Sequence, residues 1–199
     1  MPKVTEFTDL RSAYIANCVF NTFLSYTAIM LNIVTIHAIT KVSSLSKTLE
    51  TLLLSLAVSD LGVGLLGQPV YTSVLIKLLQ KQNLDCHTYL AYAFIIDVFL
   101  LASVLGVLAI SVDRFLAIHF HLRYQELVTH KRVVAVVISI WLLSVSLPLT
   151  LRWISIKIYL LIRLFLVVIG ILLTSVVYIK VYLVARCHKN QIQPLQVQG

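Results

Sequence analysis

The stretch Cys86–Val112, CHTYLAYAFIIDVFLLASVLGVLAISV, contains one charged residue, Asp97, in a run long enough to cross a lipid bilayer. A helix rises about 1.5 Å per residue, so about 20 residues cross the ~30 Å hydrocarbon core. Three other stretches carry at most one charge each: Ser12–Thr40, Thr51–Ile76 and Val133–Leu151. Together they predict four membrane-spanning helices.

A fifth apolar stretch is less regular, because Lys157 and Arg163 interrupt its start and only Leu164–Ile179 is free of charge. Basic residues near a helix end can lay their stems along lipid and keep their charges in the interface. The sequence therefore predicts an all-α fold, a polytopic transmembrane helical bundle in one domain over residues 1–185, with a cytoplasmic tail over residues 186–199. The predicted helices cover about residues 13–40, 49–77, 87–118, 132–151 and 155–185.

The composition argues against several other classes of protein. Apolar residues make up 59% of the chain and charged residues 12%, whereas soluble domains have about 45–50% and 25%. A nucleic-acid partner is not expected from the net charge of +8, because the basic residues lie between the apolar stretches. Since no nucleophile and base are paired, an enzyme is not expected either. Cys18, Cys86 and Cys187 lack the spacing of a disulfide framework or metal site, which predicts mostly free thiols.

The basic residues near the helix ends give a slight indication of orientation. Nine of the 16 Lys and Arg residues fall on one side of the predicted bundle and seven on the other. An excess of these residues marks the cytoplasmic side, which favours an extracellular N-terminus. The nine are Lys41, Lys47, Arg114, Arg123, Lys131, Arg132, Lys180, Arg186 and Lys189.

Five landmarks occur in order on the five apolar stretches. They are Asn32, LAVSD at Leu56–Asp60, SVDRFLAI at Ser111–Ile118, Trp141 and Tyr178. This set resembles the first five helices of rhodopsin-like G-protein-coupled receptors. The resemblance implies five helices of a seven-helix receptor, with the sixth and seventh missing.

Finer features resemble one branch of that family, which contains melanocortin, cannabinoid, adenosine and lysophospholipid receptors. The segment Leu122–Val133 is similar to their second intracellular loop, and Gly170 stands near the usual proline of the fifth helix. The pattern is nearest to melanocortin receptors. Their peptide-binding acidic residues are not matched, since Tyr89 and Ala93 occupy those places, so the resemblance does not identify the ligand.

The resemblance implies a switch at the cytoplasmic end of the third helix. Asp113 is expected to hold Arg114 at rest, and agonist binding is expected to let Arg114, with Tyr178, engage a heterotrimeric G protein. Tyr124, in the second intracellular loop, belongs to the same candidate site. The alternative is that Asp113 and Arg114 form a simple interfacial ion pair.

Asp97 is the candidate ligand-binding residue, because a charge at a helix centre in the membrane costs about 2.5–3.5 kcal/mol and normally faces the bundle interior. It lies one residue beyond the place where amine receptors carry an aspartate for a cationic ligand. One residue on a helix rotates the direction of the side chain by about 100°. The alternative is an internal partner at the same outer level: Arg152, Lys157 or Arg163.

Asp60, Ser103 and Asn32 are candidates for a sodium pocket like that of many receptors in the family, because hard oxygen ligands suit a hard cation. The alternative is a hydrogen-bonded polar cluster that fixes helix packing. No other cofactor is expected. Gly62, Gly64 and Gly67 have the spacing of a dinucleotide fingerprint, but they follow no strand, which favours helix packing through small residues.

Two functions follow from these features. The first is a multi-pass plasma-membrane receptor that transmits an extracellular ligand signal to heterotrimeric G proteins. The second is a non-signalling truncated receptor, retained in intracellular membranes or associated with full-length receptors in an oligomer as a dominant-negative partner. A transporter unrelated to receptors is disfavoured by the five landmarks.

Overall fold

The computed structural model describes residues 2–42, 45–80, 86–120, 123–151 and 156–196. Its helices are α1 Pro2–Lys41, α2 Lys47–Gly62, a π-helical turn Val63–Gly67, α3 Gln68–Leu79, α4 Cys86–His119, α5 Tyr124–Leu127, α6 His130–Leu151 and α7 Ile156–Gln196. No strand occurs among these described residues. The predicted all-α class is confirmed.

Among the described residues, five helical segments are long and apolar enough to cross a membrane: Arg11–Lys41, Lys47–Leu79, Tyr89–His119, His130–Thr150 and Lys157–Lys180. The exposed side chains on these segments are largely apolar; Leu142 on α6 is 66% exposed and Leu164 on α7 is 62% exposed. Such surfaces are stable in lipid, where apolar exposure costs nothing, so the chain is a multi-pass membrane protein.

Two helix ends differ from the sequence-based expectation. Helix α1 begins at Pro2, well before residue 13, because proline fits the first turn, where its missing N–H would have no helical partner. Helix α7 continues to Gln196, beyond residue 185. The extent of the receptor domain stays a prediction.

The sequence predicted one continuous helix for the second span, but the structure divides it into two α-helices joined by a π-helical turn. The span changes to a π-helical turn at Val63–Gly67 and resumes as α3, which carries Pro69 in its first turn. Proline lacks an N–H and its ring clashes with the carbonyl four residues earlier. A wider turn before Pro69 relieves that clash and leaves backbone carbonyls available to side chains.

The chain packs as two units, residues 1–43 with 57–101, and residues 44–56 with 102–199. In the first unit, glycines allow close packing of helices. A Cβ atom at Gly67 would lie 2.5 Å from Ile96 Cδ1, and one at Gly64 would lie 2.9 Å from Ile29 Cγ1. A Cβ atom at Gly62 would overlap the ring of Phe99. The predicted packing role of these three glycines is confirmed.

Hydrogen bonds from α1 to the π turn and α3 also hold the first unit together. Ser25 Oγ donates to the Gly64 carbonyl over 2.8 Å, and Asn21 Nδ2 donates to the Gln68 carbonyl over 3.2 Å. The same Asn21 nitrogen donates to Thr72 Oγ1 over 3.0 Å. The irregular turn therefore has polar partners inside the membrane-spanning part of the chain.

In the second unit, the Trp141 indole Nε1 donates to Ser55 Oγ over 3.1 Å and ties α6 to α2. Helix α7 approaches α4 at Gly170, where a Cβ atom would overlap Val104. The short helix α5 is joined to the C-terminal end of α4 by a hydrogen bond from Tyr124 to Asp113, and to the start of α6 by a hydrogen bond from Arg132 to the Leu127 carbonyl.

Candidate functional site

Asp113 lies near the C-terminal end of α4 and is only 4% exposed. Its Oδ1 accepts a hydrogen bond of 2.7 Å from the Tyr124 hydroxyl, and its Oδ2 accepts one of 3.0 Å from Arg114 Nε. A buried carboxylate without such partners would be strongly destabilising. The three side chains therefore form one cluster, Asp113–Arg114–Tyr124, in which each oxygen of the carboxylate has a partner.

Tyr124 begins α5, the four-residue helix between α4 and α6. Burial raises the pKa of its hydroxyl, and the hydrogen bond to Asp113 acts in the same direction, while a hydrogen bond with Thr48 opposes them. The hydroxyl is thus protonated at physiological pH and able to donate. Thr48 is itself buried near the start of α2.

Arg114 is bound to Asp113 on one side and open on the other. Its Nε and Nη2 both donate to Asp113 Oδ2, and its side chain is 39% exposed. A guanidinium is planar, always charged and has five donors, so it can exchange one oxygen partner for another. This geometry gives more than an interfacial ion pair, because the loop residue Tyr124 shares the carboxylate.

Two residues of this region escaped the sequence-based reasoning. Thr48 lies far from Tyr124 along the chain, and only folding brings them together. Arg132, near the start of α6, donates from Nη1 to the carbonyls of Leu127 and Glu126 over 2.9 and 3.4 Å. These bonds hold the C-terminal end of α5, but no sequence signal marks loop carbonyls as partners.

Tyr178 is not brought into the cluster. It lies on α7 with 58% of its surface exposed, and within the described residues no hydrogen bond joins it to Asp113 or Arg114. Its predicted part in coupling is therefore not visible in this packing and stays a prediction.

Asp97 is buried in α4, with 8% exposure. Of its three candidate internal partners, Arg152 lies outside the described residues.

The residues of the candidate sodium pocket lie in different packing units: Asn32 and Asp60 in the first and Ser103 in the second. The sodium pocket therefore stays a prediction. Asn32 Nδ2 donates to the Ala28 carbonyl of its own helix over 2.8 Å, which leaves its Oδ1 as the possible ligand atom.

Cys18 and Cys86 are free thiols, as the sequence predicted. The side chain of Cys187 lies outside the described ones. Neither described cysteine is part of the Asp113–Arg114–Tyr124 cluster.

A family model described as "7 transmembrane receptor (rhodopsin family)" matches residues 31–155. The chain is 36% identical over 119 residues to Adenosine receptor A2b of Gallus gallus, covering 60% of this chain and 34% of that relative. It is 32% identical over 123 residues to Adenosine receptor A2a of Canis lupus familiaris and of Homo sapiens, covering 62% of this chain and 29% of each relative. The chain thus spans about a third of the length of these curated relatives. Adenosine receptors belong to the branch that the sequence predicted, so the predicted branch is confirmed. The closer likeness to melanocortin receptors stays a prediction.

Proposed function

Because the chain belongs to the rhodopsin family of seven-transmembrane receptors, we propose that it transmits an extracellular ligand signal to heterotrimeric G proteins across the plasma membrane. The observation that carries this proposal is the Asp113–Arg114–Tyr124 cluster. It combines a buried carboxylate with a partly exposed guanidinium at the end of a membrane-spanning helix. The proposal includes no catalytic step by the chain itself.

The cluster is suited to a two-state switch. In the packing described here, Asp113 Oδ2 holds the Arg114 side chain, and the Tyr124 hydroxyl binds the other oxygen of the same carboxylate. A ligand that binds a second packing more tightly shifts the population toward it, and only differential affinity can cause the shift. A hydrogen bond to a charged group contributes about 1.5–3 kcal/mol, so loss of one such bond changes the population ratio by roughly ten- to a hundredfold.

The cluster is proposed to face the cytoplasm. Three other basic residues, Arg123, Lys131 and Arg132, lie at the same ends of α4 and α6, and an excess of Lys and Arg marks the cytoplasmic side. The exposed part of Arg114 would then be accessible to a G protein. The opposite ends of the spans, nearer Asp97, would face the extracellular ligand.

Adenosine is the first ligand to test, since the relatives reported above carry that name. Asp97 is proposed as a ligand contact because it is a buried charge in the half of α4 nearer Cys86. For sodium, the Asp60 carboxylate would supply the charge and Asn32 a neutral oxygen, and both residues belong to the first packing unit. Oxygen donors of this kind suit a hard cation.

The experiment is a nucleotide-exchange assay on the full-length product of the transcript, expressed in cells without related receptors. Adenosine and a panel of other small ligands are applied to the parent, to Arg114→Ala and to Arg11→Ala. Arg11 is an exposed cation at the start of the first span, outside the candidate sites, and serves as the matched control. We expect Arg114→Ala to lose ligand-driven exchange while its surface level stays within a few-fold of the parent.

Undiminished exchange in Arg114→Ala would remove this residue from coupling. Absence of exchange by the parent with every ligand, at a normal surface level, would contradict the receptor function itself. Antibody tags at the N-terminus and the C-terminus, stained before and after permeabilisation, test the orientation of the chain in the membrane. An orientation that places Arg114 on the extracellular side would exclude contact with a G protein.

A further inference from the structure

A groove of about 600 Å³ runs along the second packing unit, between α4 and α6, and ends at the loop that contains α5. Its volume lies in the range of about 300–1,000 Å³ that is usual for ligand cavities. Apolar side chains from both helices form most of its walls, among them Leu105, Val112, Leu116, Val136, Ile140 and Leu143. None of these six belongs to the Asp113–Arg114–Tyr124 cluster.

Water is a poor occupant of this groove. A buried water needs about 2–4 polar partners. The three polar or charged residues in the lining are Asp113, Ser139 and Arg132. Asp113 is already engaged by Tyr124 and Arg114, and Ser139 Oγ donates to the Ala135 carbonyl over 2.8 Å. Only Arg132, at one end of the groove, retains unused donors.

The groove opens toward the lipid side of the helices. Val112 on α4 is 43% exposed, and Val136 and Leu143 on α6 are 47% and 48% exposed. All three lie within the segments that span the membrane, Tyr89–His119 and His130–Thr150. In a bilayer, apolar chains of the surrounding lipid are therefore the molecules available to fill it.

The end of the groove beside α5 is positively charged. Arg132 uses Nη1 to bind loop carbonyls, which leaves Nε and Nη2 to donate elsewhere, and among the described residues it forms no ion pair with a carboxylate. Its neighbour Lys131 is exposed, and so is Arg123 on the preceding turn. Glu126 is the exposed acid nearby, so cations outnumber anions at this end.

We propose that this groove binds an anionic phospholipid, with one acyl chain lying between α4 and α6 and the phosphate at Arg132. An Arg fork matches a phosphate with two parallel hydrogen bonds, and its position at the end of the apolar groove places headgroup and chain in line. Lys131 and Arg123 would then select an anionic headgroup over a zwitterionic one. The proposal does not depend on G-protein coupling, because Arg132 and the apolar walls of the groove lie outside the Asp113–Arg114–Tyr124 cluster.

The test uses native mass spectrometry of the purified full-length protein in detergent, with phosphatidylserine and phosphatidylcholine present in equal amounts. The parent is expected to retain phosphatidylserine over phosphatidylcholine by about fivefold, which corresponds to ~1 kcal/mol for one basic residue near an anionic lipid. The double variant Lys131→Gln with Arg123→Gln should lose this preference. Arg132→Gln should instead lower retention of both phospholipids, because both carry the phosphate that Arg132 is proposed to bind.

A second variant tests the apolar part of the groove. Ala135→Phe places a ring in the groove and should lower retention of both phospholipids severalfold, whereas Ala38→Phe, on the exposed face of α1, should not. Lys157→Gln, far from the groove, should bind like the parent. Thermal unfolding of each variant separates loss of binding from loss of fold.

Equal retention of the two phospholipids by the parent would overturn the anionic selectivity, and unchanged retention in Ala135→Phe would overturn the groove as the binding site. A sterol that displaces both phospholipids from the parent would assign the groove to a neutral lipid and also overturn the proposal. Failure of G-protein activation leaves these lipid readouts unaffected, so the two proposals fail separately.

Discussion

The Tyr124 hydroxyl donates a 2.7 Å hydrogen bond to Oδ1 of the buried Asp113, and this bond joins the loop helix α5 to α4. Its removal leaves one oxygen of a 4% exposed carboxylate without that donor. We expect Tyr124→Phe to lower the free energy of unfolding by about 1–3 kcal/mol and to raise basal nucleotide exchange severalfold, because the Arg114-binding state loses a partner. Tyr26→Phe, at a 63% exposed tyrosine on α1, is the control and should change neither quantity. Equal behaviour of the two variants would show that the bond has no role in the switch.

The ionisation of Tyr124 makes a second prediction. Its pKa in the folded protein is raised above 10.0, chiefly by burial. The stability that this protonated hydroxyl contributes is therefore fully present below pH 10 and is lost as the pH rises through the folded pKa. We expect the difference in unfolding temperature between the parent and Tyr124→Phe to be constant from about pH 6 to 9 and to shrink above about pH 10. A difference that varies between pH 6 and 9 would point to another titrating group.

Two serines, Ser144 on α6 and Ser55 on α2, should respond in opposite ways to substitution by alanine. Ser144 is fully buried, and within the described residues its Oγ has no hydrogen-bond partner. Ser144→Ala should leave stability unchanged or raise it by up to about 2 kcal/mol, because it removes an unsatisfied hydroxyl. Ser55→Ala should lower stability by about 1 kcal/mol, since Ser55 Oγ accepts the bond from Trp141. Unfolding temperatures in detergent measure the stability of both variants. Destabilisation by Ser144→Ala would mean that the Ser144 hydroxyl does form a stabilising hydrogen bond.

Two glycines provide a matched pair for helix packing. A Cβ atom at Gly106 would lie 3.5 Å from Leu56 Cδ1, an ordinary contact, so Gly106→Ala should stabilise by up to about 1 kcal/mol through helix propensity. A Cβ atom at Gly62 would overlap the Phe99 ring, and Gly62→Ala should be less stable than Gly106→Ala by about 1–3 kcal/mol. The readout is again thermal unfolding. If both variants gained stability equally, the close approach of α2 and α4 at Gly62 would be refuted.

The proposed sodium site predicts a specific response at Asp60. Asp60→Asn removes the carboxylate charge and should abolish any effect of sodium on agonist binding, measured at constant ionic strength against potassium. Asn32→Ala should weaken the sodium effect less, since the amide supplies only a neutral oxygen and its nitrogen is already bound within α1. An unchanged sodium effect in Asp60→Asn would favour the alternative, in which Asp60 only fixes helix packing.

The sequence by itself determined the number of spans, the all-α class and the position of Asp113 and Arg114 at a helix end. Lipid offers no partners for backbone polar groups, so a charge-free run of sufficient length has to form a helix. The same reasoning identified Gly62, Gly64 and Gly67 as packing residues, because only small residues let apolar helices approach closely.

Tertiary structure alone decided which side chains meet. Tyr124 and Asp113 are 11 residues apart and Trp141 and Ser55 are 86 apart, and both pairs depend on the rotation of helices and the path of a loop. Hydrophobic periodicity hardly fixes that rotation in membrane spans, because lipid-facing and buried positions are both apolar. The buried Ser144 hydroxyl and the groove beside Arg132 were invisible in the sequence for the same reason.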